Sequence, residues 1–238
     1  VDAGAILSNA ILGKTSFDIQ MDVLFRRAGG MELLLDNLLL HNLQFNGYDY
    51  RSIFANGSLT GNCFDGTIKS KDPNFDFVYK GAFTFSKDFS DSSRDDFKAD
   101  VYNIDLAALN FDKRSDVSRV NFSSSAQLVH LGDGFADGTI DIRNLNYKGV
   151  KGNYNLGDIS IKSHNSSEVY TASLRAPFAD IDYSGPEPVN LFVNKVIDMS
   201  LFSKLDNYFA HDTTLIYNSG VYNLNVHTFN TMDLCPGN

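Results

Sequence analysis

Five histidines (His41, His130, His164, His211 and His227) and two cysteines (Cys63 and Cys235) are the side chains best suited to hold a metal or to act as a base or nucleophile. Metal sites and thiol chemistry need such residues in short, fixed spacings such as H-E-x-x-H or paired Cys and His. None of the seven falls into one. The histidines therefore read as surface or strand residues. The cysteines, too few for a disulfide scaffold and too distant for zinc, admit one long-range disulfide or, by preference, two separate buried thiols.

The best cation candidate is DGFADGTID, from Asp133 to Asp141. Counting Asp133 as the first position of a calcium loop puts Phe135 third and Asn144 twelfth, where oxygen ligands are required. The segment reads as a pair of β-turns instead. Asp91, Asp95 and Asp96 read as solvating charge in a polar loop. There is no P-loop, no G-x-S-x-G elbow and no G-x-G-x-x-G. Paired carboxylates for glycoside hydrolysis are not visible as spacing, but the chain lacks the Trp that commonly forms sugar platforms. No catalytic residue, metal or cofactor is assigned, and the chain is expected not to be an enzyme.

The informative residues are apolar ones in alternation. In NFDFVYKGAFTF, Phe75, Phe77, Tyr79, Gly81, Phe83 and Phe85 share one parity, while Asp76 and Lys80 lie on the other. Strand side chains alternate faces, so this is a ribbon of about 12 residues, roughly 40 Å at 3.3 Å per residue, with one aromatic face. Most strands are half as long. The same alternation recurs in SFDIQMDVLF and through Val120, Phe122, Ala126 and Leu128. In DGTIDIRNLNY, Ile140 and Ile142 lie on one parity and Leu145 and Tyr147 on the other, which predicts a bulge near Asn144. MELLLDNLLLHNLQF fits helix or strand by spacing, and its neighbours favour strand.

Turn signals separate these runs: Asn46-Gly47, Asn56-Gly57, Asp65-Gly66 and the Lys71 to Asn74 corner. SKDFSDSSRDD reads as a flexible tip, and NIDLAALNF as a short helical turn. Asn42 to Gly47 and Asn144 to Gly149 echo each other weakly. Composition agrees with an all-β chain, since 19 Phe, 11 Tyr and 18 Gly accompany many Asn and Asp. After Pro186 and Pro188 the pattern changes. Val189, Phe192, Val193, Val196 and Ile197 follow helical spacing, extended by Leu201, Leu205, Tyr208 and Phe209.

A net charge of -9 argues against a nucleic-acid partner and against docking on anionic head groups. It leaves acyl chains open as a partner. No apolar run reaches the roughly 18 residues of a membrane span, and the start at Val1 reads as an excised or mature segment whose membrane anchor lies elsewhere. The apolar strand faces have two destinations: a closed sandwich core, the commoner one, or the floor of an open trough.

Several runs carry a family resemblance: GYDYRSIFANGSLTGNCFDGTIKSKDPNFDFVYKGAFTF, FKADVYNIDLAALNF and FADGTIDIRNLNYKG. With GDISIKS they resemble the AsmA-like proteins, in particular the TamB (translocation and assembly module) family of large bacterial envelope proteins. The matching features are Tyr48 and Tyr50, Gly57 to Gly66, Asp72 to Asn74, Ile104 to Asn110, and Gly138 to Tyr147. Ile104 departs from the small residue usual in that turn.

That resemblance implies a long antiparallel meander sheet curled into an open, taco-like trough over 1–185, an amphipathic helix over 186–211, and a strand over 212–238 continuing the sheet. It implies a periplasmic segment of an inner-membrane-anchored protein of a diderm bacterium. Its groove would carry phospholipid acyl chains between membranes or serve outer-membrane protein assembly with a barrel-inserting partner. The candidate groove residues are Phe75, Phe77, Tyr79, Phe83, Phe85, Phe122, Leu128, Ile140 and Ile142. The alternative is a cell-surface β-sandwich adhesin or carbohydrate-binding module.

Overall fold

The structure, a computed structural model, describes residues 12–25, 31–85, 94–130, 136–166, 169–189, 191, 213–217 and 220–228. They form one antiparallel sheet that curls without closing. Its strands are β1 (Leu12–Phe25), β2 (Met31–Phe45), β3 (Tyr48–Tyr50), β4 (Ile53–Thr60), β5 (Cys63–Asp72), β6 (Phe75–Thr84) and β7 (Arg94–Asp105). Then come β8 (Ser118–His130), β9 (Ala136–Gly149), β10 (Gly152–Asn165), β11 (Tyr170–Ala176), β12 (Ala179–Gly185), β13 (Thr213–Tyr217) and β14 (Gly220–Thr228). Order in space follows the chain from β1 to β12, with β3 as a side hairpin on β2. Beyond β12 the order inverts, because β14 pairs with β12 and β13 lies outside it. The sheet thus continues past residue 212.

The Leu-rich run is strand throughout β2. Its spacing looked ambiguous because register irregularities leave His41 and Asp36 without a partner on β1, so the apolar phase slips twice within one strand. Asn144 does mark a bulge, with φ of 52° and a register break between Asn121 and Ser123 on the neighbouring strand. It returns Leu145 and Tyr147 to the face of Ile140 and Ile142. The Asn46-Gly47 turn is also present, with φ of 52° and 75°.

Three expected turns are corrected. Asn56-Gly57, Asp65-Gly66 and Asp137-Gly138 lie inside β4, β5 and β9. Gly57 pairs with Gly66, and Gly66 with Gly81, so three glycines stand in register across three strands. A methyl group on Gly66 would lie 2.7 Å from the Gly57 Cα, and one on Gly81 would lie 2.5 Å from the Phe97 Cα. Backbones approach there as only glycine allows. The turn joining β4 to β5 is instead Gly61-Asn62, where Gly61 has φ of 58°.

Leu106 to Asn110 form the expected helical turn, in which the Leu109 N–H donates to the Asp105 carbonyl (3.0 Å) and that of Phe111 to Leu106 (2.8 Å). Of the expected loop between β6 and β7, Arg94 to Asp96 belong to β7 and 86–93 lie outside the described residues. Val189 and Leu191 have helical backbone; the rest of the helix expected over 186–211 lies outside the described residues, as do His211 and Cys235. Cys63 is a free, half-buried thiol.

Candidate functional site

Register alone assembles one face of the sheet. Phe77 pairs with Val101 and Val101 with Phe122. Tyr79 leads through Ala99 and Ser124 to Ile142, and Gly81 through Phe97 and Ala126 to Ile140. From Ile140 the row runs on through Ile161, Leu174 and Ile181 to Val226. In the other direction Tyr79 faces Ile68, then Ala55, Leu38 and Ile19. Two adjacent rows on the same face, nearly all apolar, therefore overlap across the sheet, one from Ile19 to Ile142 and the other from Gly81 to Val226.

All nine groove candidates lie on this face or at its rim. Phe75, Phe77, Tyr79 and Phe83 line β6, Phe122 and Leu128 line β8, and Ile140 and Ile142 line β9. Phe85 sits just beyond β6, mostly exposed, with its ring 5.9 Å from Phe83. The rings form a connected wall: Phe75 to Phe77 at 4.7 Å, Tyr79 to Phe83 at 5.5 Å, and Tyr79 to Phe97 at 5.2 Å. Apart from Phe85 these side chains are half-buried, as a wall open on one side should be. The residues of this face missing from the groove candidates are the β1 and β2 members, Phe17, Ile19, Met21 and Val23 with their partners Leu40, Leu38, Leu35 and Leu33. Alternation signalled the first group, and slipped phase hid the second.

One rim is sealed. Tyr50 is buried against Phe75 (5.2 Å) and Phe45 (6.3 Å), and the Leu106 to Val117 loop brings in a fully buried Leu109 and the Phe111 ring. Buried Asp72 anchors this rim by accepting from the Tyr48 hydroxyl (2.6 Å), the Arg51 N–H (2.9 Å) and the Asn74 N–H (2.9 Å). Burial, reinforced by the bond to Asp72, pushes the Tyr48 hydroxyl up to about 12. Asp105, also buried, holds Arg119 Nε at 2.7 Å. Both buried carboxylates of this rim are occupied by donors.

The opposite rim carries a polar pair that the sequence reading placed in solvent. Asp95 is buried, accepts the Thr84 N–H at 2.8 Å and lies 2.8 Å from His130 Nε2. It ties the start of β7 to the ends of β6 and β8. Tyr79 is the one wall residue with a buried hydroxyl lacking a partner; burial, then the Asp95 and Asp65 carboxylates, push its ionisation up. His164 lies 3.3 Å from Asp137, which also accepts the Asn165 N–H. No cluster of three metal-ligating side chains occurs among the described residues.

Over β7 to β12 the other face is mainly polar. A groove of about 920 Å³ crosses β7 to β12 beside the row Asp96, Gln127, Thr139, Lys162, Ser173 and Asp182. Tyr183 is the aromatic residue among those lining the groove, and it is buried, not presented as a platform on which a sugar can stack. No helix of the described residues is long and apolar enough to cross a membrane. No family model, curated protein or solved structure matches the chain.

Proposed function

We propose that the chain is a non-enzymatic segment of a larger envelope protein, in which the apolar face of the curled sheet conducts phospholipid acyl chains across an aqueous gap. The reading rests on one observation: adjacent register-matched apolar rows make one face continuous across the sheet from β1 to β14, yet most of its side chains are only half-buried. A sandwich closes such a face with a second sheet; among the described residues there is one sheet. Moving a 16-carbon chain into water costs on the order of 13 kcal/mol at ~0.8 kcal/mol per CH₂, and a continuous greasy floor removes most of that barrier. The resemblance to AsmA-like and TamB proteins points the same way and adds service to outer-membrane protein assembly as a companion role.

The sealed rim gives the proposal a direction. Tyr50, Phe75 and Leu109 fill one side, and buried Tyr183 and Tyr222 close the opposite rim at β12 and β14, so acyl chains enter over that rim along the earlier strands and move across the strands. Lipid extracted from the purified protein and identified by mass spectrometry tests the reading. Stoichiometric phospholipid is expected, and a lipid-free preparation from lipid-rich cells argues against it.

A further inference from the structure

The outer side of the sealed rim carries apolar side chains among cations. The Leu106 to Val117 loop and the Val150-Lys151 turn lie side by side there, because Ser118, which opens β8, pairs with Gly149, which ends β9. Each presents an apolar side chain outward: Phe111 is 57% exposed and Val150 is 72% exposed. The loop is pinned in place, since the Asp112 carboxylate accepts from Arg114 Nε (2.9 Å) and from the Ser118 hydroxyl (3.0 Å). Exposed apolar side chains rimmed by polar ones mark protein or membrane contacts.

Charge narrows the partner. Residues 111–119 and 148–151 include five cations and two carboxylates, of which Asp116 is exposed and Asp112 is occupied as described. Arg119 and Lys148 stand directly opposite each other on β8 and β9, an arrangement that destabilises a strand pair. Arg119 is answered by Asp105. Lys113, Lys148 and Lys151 are exposed and form no ion pair among the described residues. The chain's net charge of -9 does not cancel this patch. Asp95, Asp96 and Asp137 lie at the far ends of β7 and β9, strands of 12 and 14 residues, so they are roughly 40 Å away at 3.3 Å per residue. Salt screens charges beyond about 8 Å.

We propose that this edge docks on a bilayer surface bearing anionic phospholipids. Phe111 and Val150 dip into the interface, and Lys113, Lys148 and Lys151 meet the phosphates. Two apolar side chains are too few to hold a chain on a membrane, and three lysines alone attract any polyanion. Together they select a surface that offers both. The expectation from total charge, that anionic head groups repel the chain, is reversed for this edge because only local charge acts across a Debye length. The proposal stands apart from the acyl-chain reading, because it concerns the outside of the seal and none of these lysines lies in the groove.

The chain has no tryptophan, so Val150→Trp is a single fluorescent reporter, and Asn62→Trp, at the exposed turn between β4 and β5 on the opposite rim, is its control. Vesicles of phosphatidylcholine mixed with phosphatidylglycerol are expected to shift the emission of the first variant to shorter wavelength and to leave the second unchanged. Vesicles of phosphatidylcholine alone shift neither. In cosedimentation of the whole chain, Lys113→Glu/Lys148→Glu/Lys151→Glu lowers partition onto the mixed vesicles at least about tenfold and keeps the wild-type unfolding midpoint. Phe111→Ser/Val150→Ser weakens it as well, whereas Lys80→Glu/Lys98→Glu, changed at exposed positions within β6 and β7, does not. No binding, equal binding to both vesicle types, a shift in both tryptophan variants, or partition unchanged by the lysine exchange overturns the proposal. Partition unchanged by the Phe111 and Val150 exchange also overturns it, since the edge then attracts any polyanion. Vesicle docking by a chain that purifies without bound lipid would count against the acyl-chain reading alone.

Discussion

Asn46 and Asn110, 64 residues apart, hold each other reciprocally: the Asn46 side-chain amide donates to the carbonyls of Leu109 (3.1 Å) and Asn110 (3.2 Å), and the Asn110 amide donates back to the Asn46 carbonyl (2.9 Å). Both residues have positive φ, 52° and 63°, a conformation asparagine tolerates better than most. Asn46 follows β2 and Asn110 follows β7, four steps apart in the sheet, about 19 Å if it were flat. The clasp therefore draws the β7–β8 loop along the rim and fixes the seal under it.

Asn110→Ala removes the bond that its amide donates to the Asn46 carbonyl and strains the backbone at its positive φ, and should lower stability by about 2 kcal/mol in urea unfolding. Asn110→Gly keeps the conformation and should cost less. Asn46→Ala combined with Asn110→Ala should cost clearly less than the sum of the single changes, since both sets of bonds hold the same clasp and losing one set loosens the other.

The glycine row makes a sharper prediction. At Gly66 an added methyl meets the backbone of the neighbouring strand, so Gly66→Ala should destabilise by more than about 2 kcal/mol. At Gly61 nothing lies within reach of a methyl, and Gly61→Ala should cost only about 1 kcal/mol for its positive φ. Thermal unfolding of both variants checks the order. Equal costs would mean that the strands do not approach at Gly66.

Much of this was legible in the sequence. Alternation placed Phe75 to Phe85, Phe122 and Ile140 on strands, and the phase change located the Asn144 bulge, because both depend only on a period of two. The misplaced turns arose because Asn-Gly and Asp-Gly are local signals, whereas Gly57 and Gly66 are glycine for a non-local reason, the close approach of β4, β5 and β6. Asp72 read as a turn residue and Asp95 as solvating charge because their partners, Tyr48 and His130, are 24 and 35 residues away. Burial of a carboxylate is decided by topology, and alternation does not carry it.

The Tyr48 to Asp72 bond gives a pH signature. The Tyr48 hydroxyl ionises near 12 in the folded chain and near 10 when unfolded. Its contribution is therefore fully present below about pH 10 and is lost as pH rises toward 12. Unfolding midpoints measured from pH 9 to 12 should fall more steeply for the wild type than for Tyr48→Phe. Separately, Asp72→Ala leaves three donors without their acceptor and should cost about 3 kcal/mol.

The central claim is that one face of this sheet carries acyl chains and the other does not. Adjacent residues on one strand separate the two faces: Phe77 lies in the apolar row opposite Val101, and Val78 lies on the other face opposite Lys69 and Asp100. Benzoylphenylalanine placed at position 77 or at position 78, irradiated in cells and analysed by mass spectrometry, tests the claim most directly. Phospholipid adducts at 77 and none at 78 are predicted. Adducts at neither position, or equally at both, would contradict it.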